Sequence, residues 1–206
     1  MSSAPSQHQQ SNASVSYAQV EQMVAGSMRQ ITEKEPYQWQ ISNMAHWLAM
    51  AIPSLPDHPP APVLQIRPTG GGKSSTRDVS GVMLRGVTLT IVPLLALGAD
   101  QEQKLSYLSA VRKLNNVNLR MSAHHLDEIR YTKVGRDLFD FLRLLPSNTE
   151  STFFLFSSPQ LITTDRAWRD LFQELCKRGV LRFVCIDEVH LLSADLGLTI
   201  VRRWIP

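Results

Sequence analysis

Thr69-Gly70-Gly71-Gly72-Lys73-Ser74, directly after the apolar run Val63-Leu64-Gln65-Ile66, is the stretch on which the reading of this 206-residue chain turns. Successive glycines let a backbone curl its N–H groups around phosphate oxygens, and a helix that follows adds the positive end of its dipole. In that arrangement Thr69, Gly70, Gly71, Gly72 and Ser75 contact the nucleotide, Lys73 reaches the β- and γ-phosphates, and the Ser74 hydroxyl ligates Mg²⁺. The longer P-loop spacing has a glycine five residues before Gly72, where this chain has Arg67, so the motif is the shorter form. Late in the chain a second apolar run, Phe183-Val184-Cys185-Ile186, leads into Asp187-Glu188-Val189-His190. A nucleotide site needs a carboxylate for Mg²⁺ and a second one to orient or deprotonate the attacking water, and Asp187 and Glu188 supply them in that order. Either motif alone also fits a surface turn or a helix cap; the two together, each at a predicted strand end, read as the two halves of an ATP site.

Further segments narrow the class. Gly86-Val87-Thr88-Leu89-Thr90-Ile91-Val92 runs into Pro93-Leu94-Leu95-Ala96-Leu97-Gly98-Ala99-Asp100-Gln101, and Phe153-Phe154-Leu155-Phe156 runs into Ser157-Ser158-Pro159-Gln160-Leu161. Upstream lies Pro36-Tyr37-Gln38-Trp39-Gln40. These strings resemble motif Ia, motif Ib and the adenine-reading motif of superfamily 2, RecQ-like (DEAD/DEAH-box type) DNA helicases, and their order matches the first RecA-like lobe over about residues 36 to 206.

The resemblance implies an α/β fold: a P-loop NTPase, RecA-like three-layer domain with a mostly parallel sheet. It implies ATP hydrolysis coupled to 3′-to-5′ DNA unwinding, with ATP and Mg²⁺ as cofactors and single-stranded or partly duplex DNA as partner. Carried over residue by residue, Gln40 would bind the adenine edge, with Gln38 a competing assignment and Tyr37 or Trp39 near the base. Lys73, Asp187, Glu188 and His190 would form the catalytic set, His190 coupling the nucleotide site to the DNA track. Ser74 and Asp187 would hold Mg²⁺, and Pro93, Leu94, Ser158 and Pro159 would line the DNA strand along its phosphates.

Departures from the pattern carry expectations of their own. Val92 stands where the family has a serine, so one phosphate contact is missing. From Leu191 to Trp204 the only aromatic residue is Trp204, where the family has an aromatic-rich, DNA-sensing loop. The last residue, Pro206, follows shortly after the motif II match, so the lobe is expected to be incomplete at its C-terminus, with motif III and a second RecA-like lobe missing from this chain. That lobe would supply an arginine finger, typically about 10³–10⁵ in turnover. Two other readings follow: a non-catalytic ATP- or nucleic-acid-binding fragment, and an unrelated P-loop ATPase.

Composition fits one domain with a core, 43% of residues being hydrophobic, and a net charge of +3 is too mild to argue for nucleic acid by itself. The two cysteines, Cys176 and Cys185, lack metal or disulfide-framework spacing. No apolar run of about 18 residues or secretory leader is present, so the expected location is intracellular, nuclear in a eukaryote, with no membrane partner.

Residues 1–16 read as a disordered tail and 17–35 as an N-terminal helix, with Val20, Met23, Val24, Met28 and Ile31 on one face. Residues 36–206 then form the lobe. Further helices are expected over Trp39–Ala51, Lys104–Asn115, Arg136–Leu145 and Arg166–Lys177, and a strand over Val117–Met121. Five prolines between Pro53 and Pro62 mark a loop. His124-His125 before Asp127-Glu128 reads as a solvated helix start, not a metal site.

Overall fold

The computed structural model describes residues 15–51, 65–66, 70–114 and 119–188. The chain divides into two compact units, residues 1–73 and 74–206.

The first unit is a helical pair. Helix α1 spans Tyr17–Thr32 and α2 spans Gln38–Met50. Ser16 starts α1 through a capping box: its hydroxyl accepts from Gln19 N–H at 3.3 Å while Gln19 Oε1 accepts from Ser16 N–H at 2.7 Å. Val20, Val24, Met28 and Ile31 are buried as the stripe predicts, whereas Met23 is 57% exposed. Met44, Ala45, Leu48 and Ala49 of α2 are also buried, and Tyr17 Oη donates to the Ser42 carbonyl at 3.2 Å.

The second unit is a three-layer α/β domain. Its four strands, β1 (Gly86–Ile91), β2 (Met121–His125), β3 (Thr152–Ser157) and β4 (Leu181–Ile186), form an all-parallel sheet in the order β2-β3-β1-β4. Parallel neighbours require crossover helices, and the chain supplies them: α4 (Leu95–Leu114) between β1 and β2, α5 (Leu126–Ile129) and α6 (Lys133–Leu144) before β3, and α7 (Pro159–Thr164) and α8 (Arg166–Lys177) before β4. Helix α3 (Lys73–Leu84) precedes β1.

Strand alternation divides the core between the two faces. Val87, Leu89, Ile91 and Leu155 join Leu138, Leu142, Trp168, Phe172 and Leu175 of α6 and α8 on one side. Phe154 and Phe156 join Leu105 of α4 and Val82 of α3 on the other. Helix α3 approaches the sheet closely because Gly81 lacks a side chain; a Cβ there would lie 2.5 Å from the Phe154 ring and 2.8 Å from Thr88 Oγ1.

Several boundaries differ from the sequence reading. Helix α4 begins at Leu95, nine residues before the expected Lys104, so most of the motif Ia string is helical. Strand β2 begins at Met121, where the expected strand ended. His124 and His125 close that strand and are not a solvated helix start; His125 is fully buried beside Gly98 of α4, where a Cβ would come within 2.6 Å of its Nε2. Gln65 and Ile66 are in no strand, and Ile66 is 80% exposed. Val63, Leu64, most of the 1–16 tail and the proline-rich segment lie outside the described residues. Among the described residues no helix is long and apolar enough to cross a membrane.

Candidate nucleotide site

Gly70 and Gly72 both take positive φ, +78° and +85°, in the loop that opens α3 at Lys73. That is the backbone region in which glycine is unstrained, and the curl it produces brings the loop against α2. Gln40 is buried there: its Oε1 accepts from Tyr37 N–H at 2.9 Å and its Nε2 donates to the Gly72 carbonyl at 3.1 Å. A Cβ on Gly72 would fall 2.7 Å from that nitrogen. Gln38, the competing residue, is exposed and its Nε2 is 3.5 Å from Ser42 Oγ. The Tyr37 and Trp39 rings stack with centroids 6.5 Å apart. Gly71 and Lys73 are half-buried, as is Ser75, and Ser74 is exposed in the first turn of α3. Thr69 lies outside the described residues.

In the second unit, Asp187 follows the last residue of β4 and extends the ladder, its N–H donating to the Ile91 carbonyl at 2.9 Å. Both carboxylate oxygens are held. Oδ1 accepts from Glu188 N–H at 3.0 Å, and Oδ2 accepts from Nε2 of Gln101 at 3.0 Å. Gln101, from α4, receives the Arg77 Nη1 donor on its own Oε1. Arg77 is 4% exposed and Gln101 8%. The guanidinium sits 5.2 Å over the Phe156 ring and forms its ion pair with the neighbouring Asp78, Nε to Oδ1 being 2.8 Å. Burial pushes the Asp78 carboxyl up against the opposing pull of Arg77, and it pushes the Cys185 thiol up to about 11. Glu188 has φ +47°, and His190 lies outside the described residues.

At the same edge of the sheet, Pro93 is half-buried and Leu94 is 53% exposed just before α4. Ser158 is buried. Its Oγ donates to Asp127 Oδ1 at 2.6 Å and accepts from Leu161 N–H at 3.1 Å, and its N–H donates to Asp127 Oδ2 at 2.7 Å. It thus caps α7 and ties the end of β3 to α5. Pro159 is buried at the first position of α7, and Gln160 beside it is exposed.

Three residues that sequence reasoning left without a role, Arg77, Gln101 and Asp127, therefore support the predicted ones. Their partners are 24, 86 and 31 residues away in sequence, and no local pattern records such contacts.

An all-parallel four-stranded sheet with helices on both faces, and an Asp-Glu pair directly after a strand, is the architecture of a RecA-like P-loop domain. No protein-family model matches the chain. Curated relatives do. It is 30% identical over 128 residues to the RecQ-like DNA helicase blm-1 of Caenorhabditis elegans, covering 62% of this chain and 12% of that protein. It is 32% identical over 135 residues to the ATP-dependent DNA helicase hus2/rqh1 of Schizosaccharomyces pombe, covering 64% and 9%. Against the ATP-dependent DNA helicase Q5 of Rattus norvegicus the identity is 27% over 126 residues, covering 61% and 11%. Over these residues the chain is similar to RecQ-type DNA helicases, and it spans about a tenth of the length of these three relatives.

Proposed function

We propose that this chain provides the ATP-binding and nucleic-acid-binding first lobe of a RecQ-type ATP-dependent DNA helicase, working 3′ to 5′ on single-stranded or partly duplex DNA in the nucleus, in repair or recombination. The observation that supports it best is Asp187, held through both carboxylate oxygens at the end of β4 in a chain whose Gly-Gly-Gly-Lys-Ser opens α3.

In this reading Gly70, Gly71 and Gly72 present backbone N–H groups to the phosphates, with Thr69 and Ser75 flanking them, and Lys73 places its charge against the β- and γ-oxygens. Gln40 fixes the loop through Gly72 and offers its remaining N–H to the adenine edge. Glu188 orients and deprotonates the attacking water, and His190 couples this step to DNA. Pro93, Leu94, Ser158 and Pro159 border the strand, with Leu94 and the neighbouring Gln160 the exposed groups among them. Ser74 and Asp187 would hold Mg²⁺. Their oxygens are the hard donors that ion takes, and each Asp187 oxygen retains lone-pair capacity beside its hydrogen bond. Among the described residues no group of three or more His, Cys, Asp or Glu is placed to bind a metal, and an ion held by one carboxylate plus phosphates needs none. When bound, Mg²⁺ neutralises charge on the phosphate oxygens.

The test is Mg²⁺-dependent nucleotide binding and ATP hydrolysis by the purified 206-residue chain, with and without single-stranded DNA, against Lys73→Ala. Lys73-dependent binding with DNA-stimulated turnover is the expected result. Binding that Lys73→Ala leaves intact would overturn the assignment.

A further inference from the structure

Asp187 is held by a chain of buried side chains whose chemistry runs in one direction. Arginine only donates hydrogen bonds and an ionised aspartate only accepts them. Between Arg77 and Asp187 lies the Gln101 amide, Oε1 toward the guanidinium and Nε2 toward the carboxylate. The donor-only group at one end therefore dictates the orientation of the amide, and the amide then presents a donor to Asp187 Oδ2. Leucine or methionine at 101 would bond neither group.

The interposed amide also has an electrostatic consequence. Arg77 forms its ion pair with Asp78, the next residue of the same helix. A guanidinium paired directly with Asp187 would neutralise the carboxylate; a neutral amide orients it and leaves its negative charge for a cation.

We propose that Gln101 is a positioning residue for the Asp187 carboxylate, with Arg77 the anchor that sets its amide, so that α3, α4 and β4 together aim the oxygen that meets the nucleotide-bound metal. This rests on the reading of Asp187 as a metal-binding carboxylate. It adds two residues that touch neither nucleotide nor metal, and it gives them one shared task.

The experiment titrates Mg²⁺ into the 206-residue chain with a fluorescent ATP analogue and compares Gln101→Met, Arg77→Lys, the double variant and Asp187→Asn. Lysine at 77 keeps the charge for Asp78 but lacks the second arm that reaches Gln101. Expected is a roughly tenfold rise in the Mg²⁺ concentration for half-saturation in Gln101→Met, with metal-free nucleotide affinity within about twofold of wild type. Arg77→Lys shifts in the same direction, and the double variant is no worse than Gln101→Met alone, since both substitutions break one chain of contacts. A merely structural role would lower melting temperature and metal-free affinity together without moving the Mg²⁺ dependence.

Wild-type Mg²⁺ dependence in a folded Gln101→Met or Arg77→Lys chain, with Asp187→Asn shifted, overturns this inference alone. Where Gln101→Met fails to fold, Arg77→Lys decides. Asp187→Asn with unchanged Mg²⁺ dependence overturns the metal-binding reading beneath it, and the inference with it.

Discussion

Cys185 and Cys176 differ only in position, yet their chemistry separates. Cys176 is exposed near the end of α8, while Cys185 lies in β4, two residues before Asp187, where burial raises its thiol from 9.0 to about 11. The thiolate is the reactive form, so at pH 8 the shift lowers its population about a hundredfold. Titration of the native chain with a thiol-specific chromogenic disulfide at pH 8 should consume one thiol rapidly and the second only on denaturation. The linked stability has a definite sign: an acid whose folded value is raised contributes fully below pH 9, and the contribution is lost as pH rises through about 11. Two fast thiols in the folded chain would contradict the raised thiol of the half-buried Cys185. At this scale the sequence was informative where a residue's role is local. The Asp-Glu pair follows a strand as the sequence placed it, and the positive-φ glycines open a helix, although Gln65 and Ile66 before them are in no strand. The amide of Gln101 and the hydroxyl of Ser158 could not be read, because each answers to a group brought near only by the fold.

Among the elements, α8 runs over the expected Arg166–Lys177, and its signals explain why. Asp165 caps it by accepting from Trp168 N–H at 3.3 Å, and Gly179 past its end takes φ +66°. Helix α4 has no such signal at its start. Gly98 within it weakens helix propensity, and its reason for being there is the buried His125 ring on β2, a tertiary contact. Gly81 plays the corresponding part for α3. Gly81→Ala drives a methyl into the Phe154 ring and Thr88 Oγ1, and overpacking of this kind costs about 1–3 kcal/mol. Chemical denaturation should show that loss as a lower midpoint with unchanged slope; a midpoint equal to wild type would mean that α3 does not seat against the sheet as described.

For the whole molecule, ligand linkage offers a measure independent of turnover. A nucleotide that binds only the folded chain at about 100 times its dissociation constant adds about 2.7 kcal/mol, and each kcal/mol moves the melting point of a chain this size by about 2–4 °C. Mg-ATP should therefore raise the melting temperature by roughly 5–11 °C in wild type and leave Lys73→Ala unmoved. Equal shifts in both would place the stabilising ligand elsewhere.

The strand order has a consequence for how the protein is made. All six residues of β1 are buried, and its partners arrive late: Gly86 pairs with Thr152, 66 residues on, and Thr88 with Phe183, 95 residues on. A ribosome adding about 5–20 residues per second needs about 5–20 s to make the second of these. Until then this inner strand of the nascent chain has an open flank, and its exposure to mispairing is set by the pace of translation.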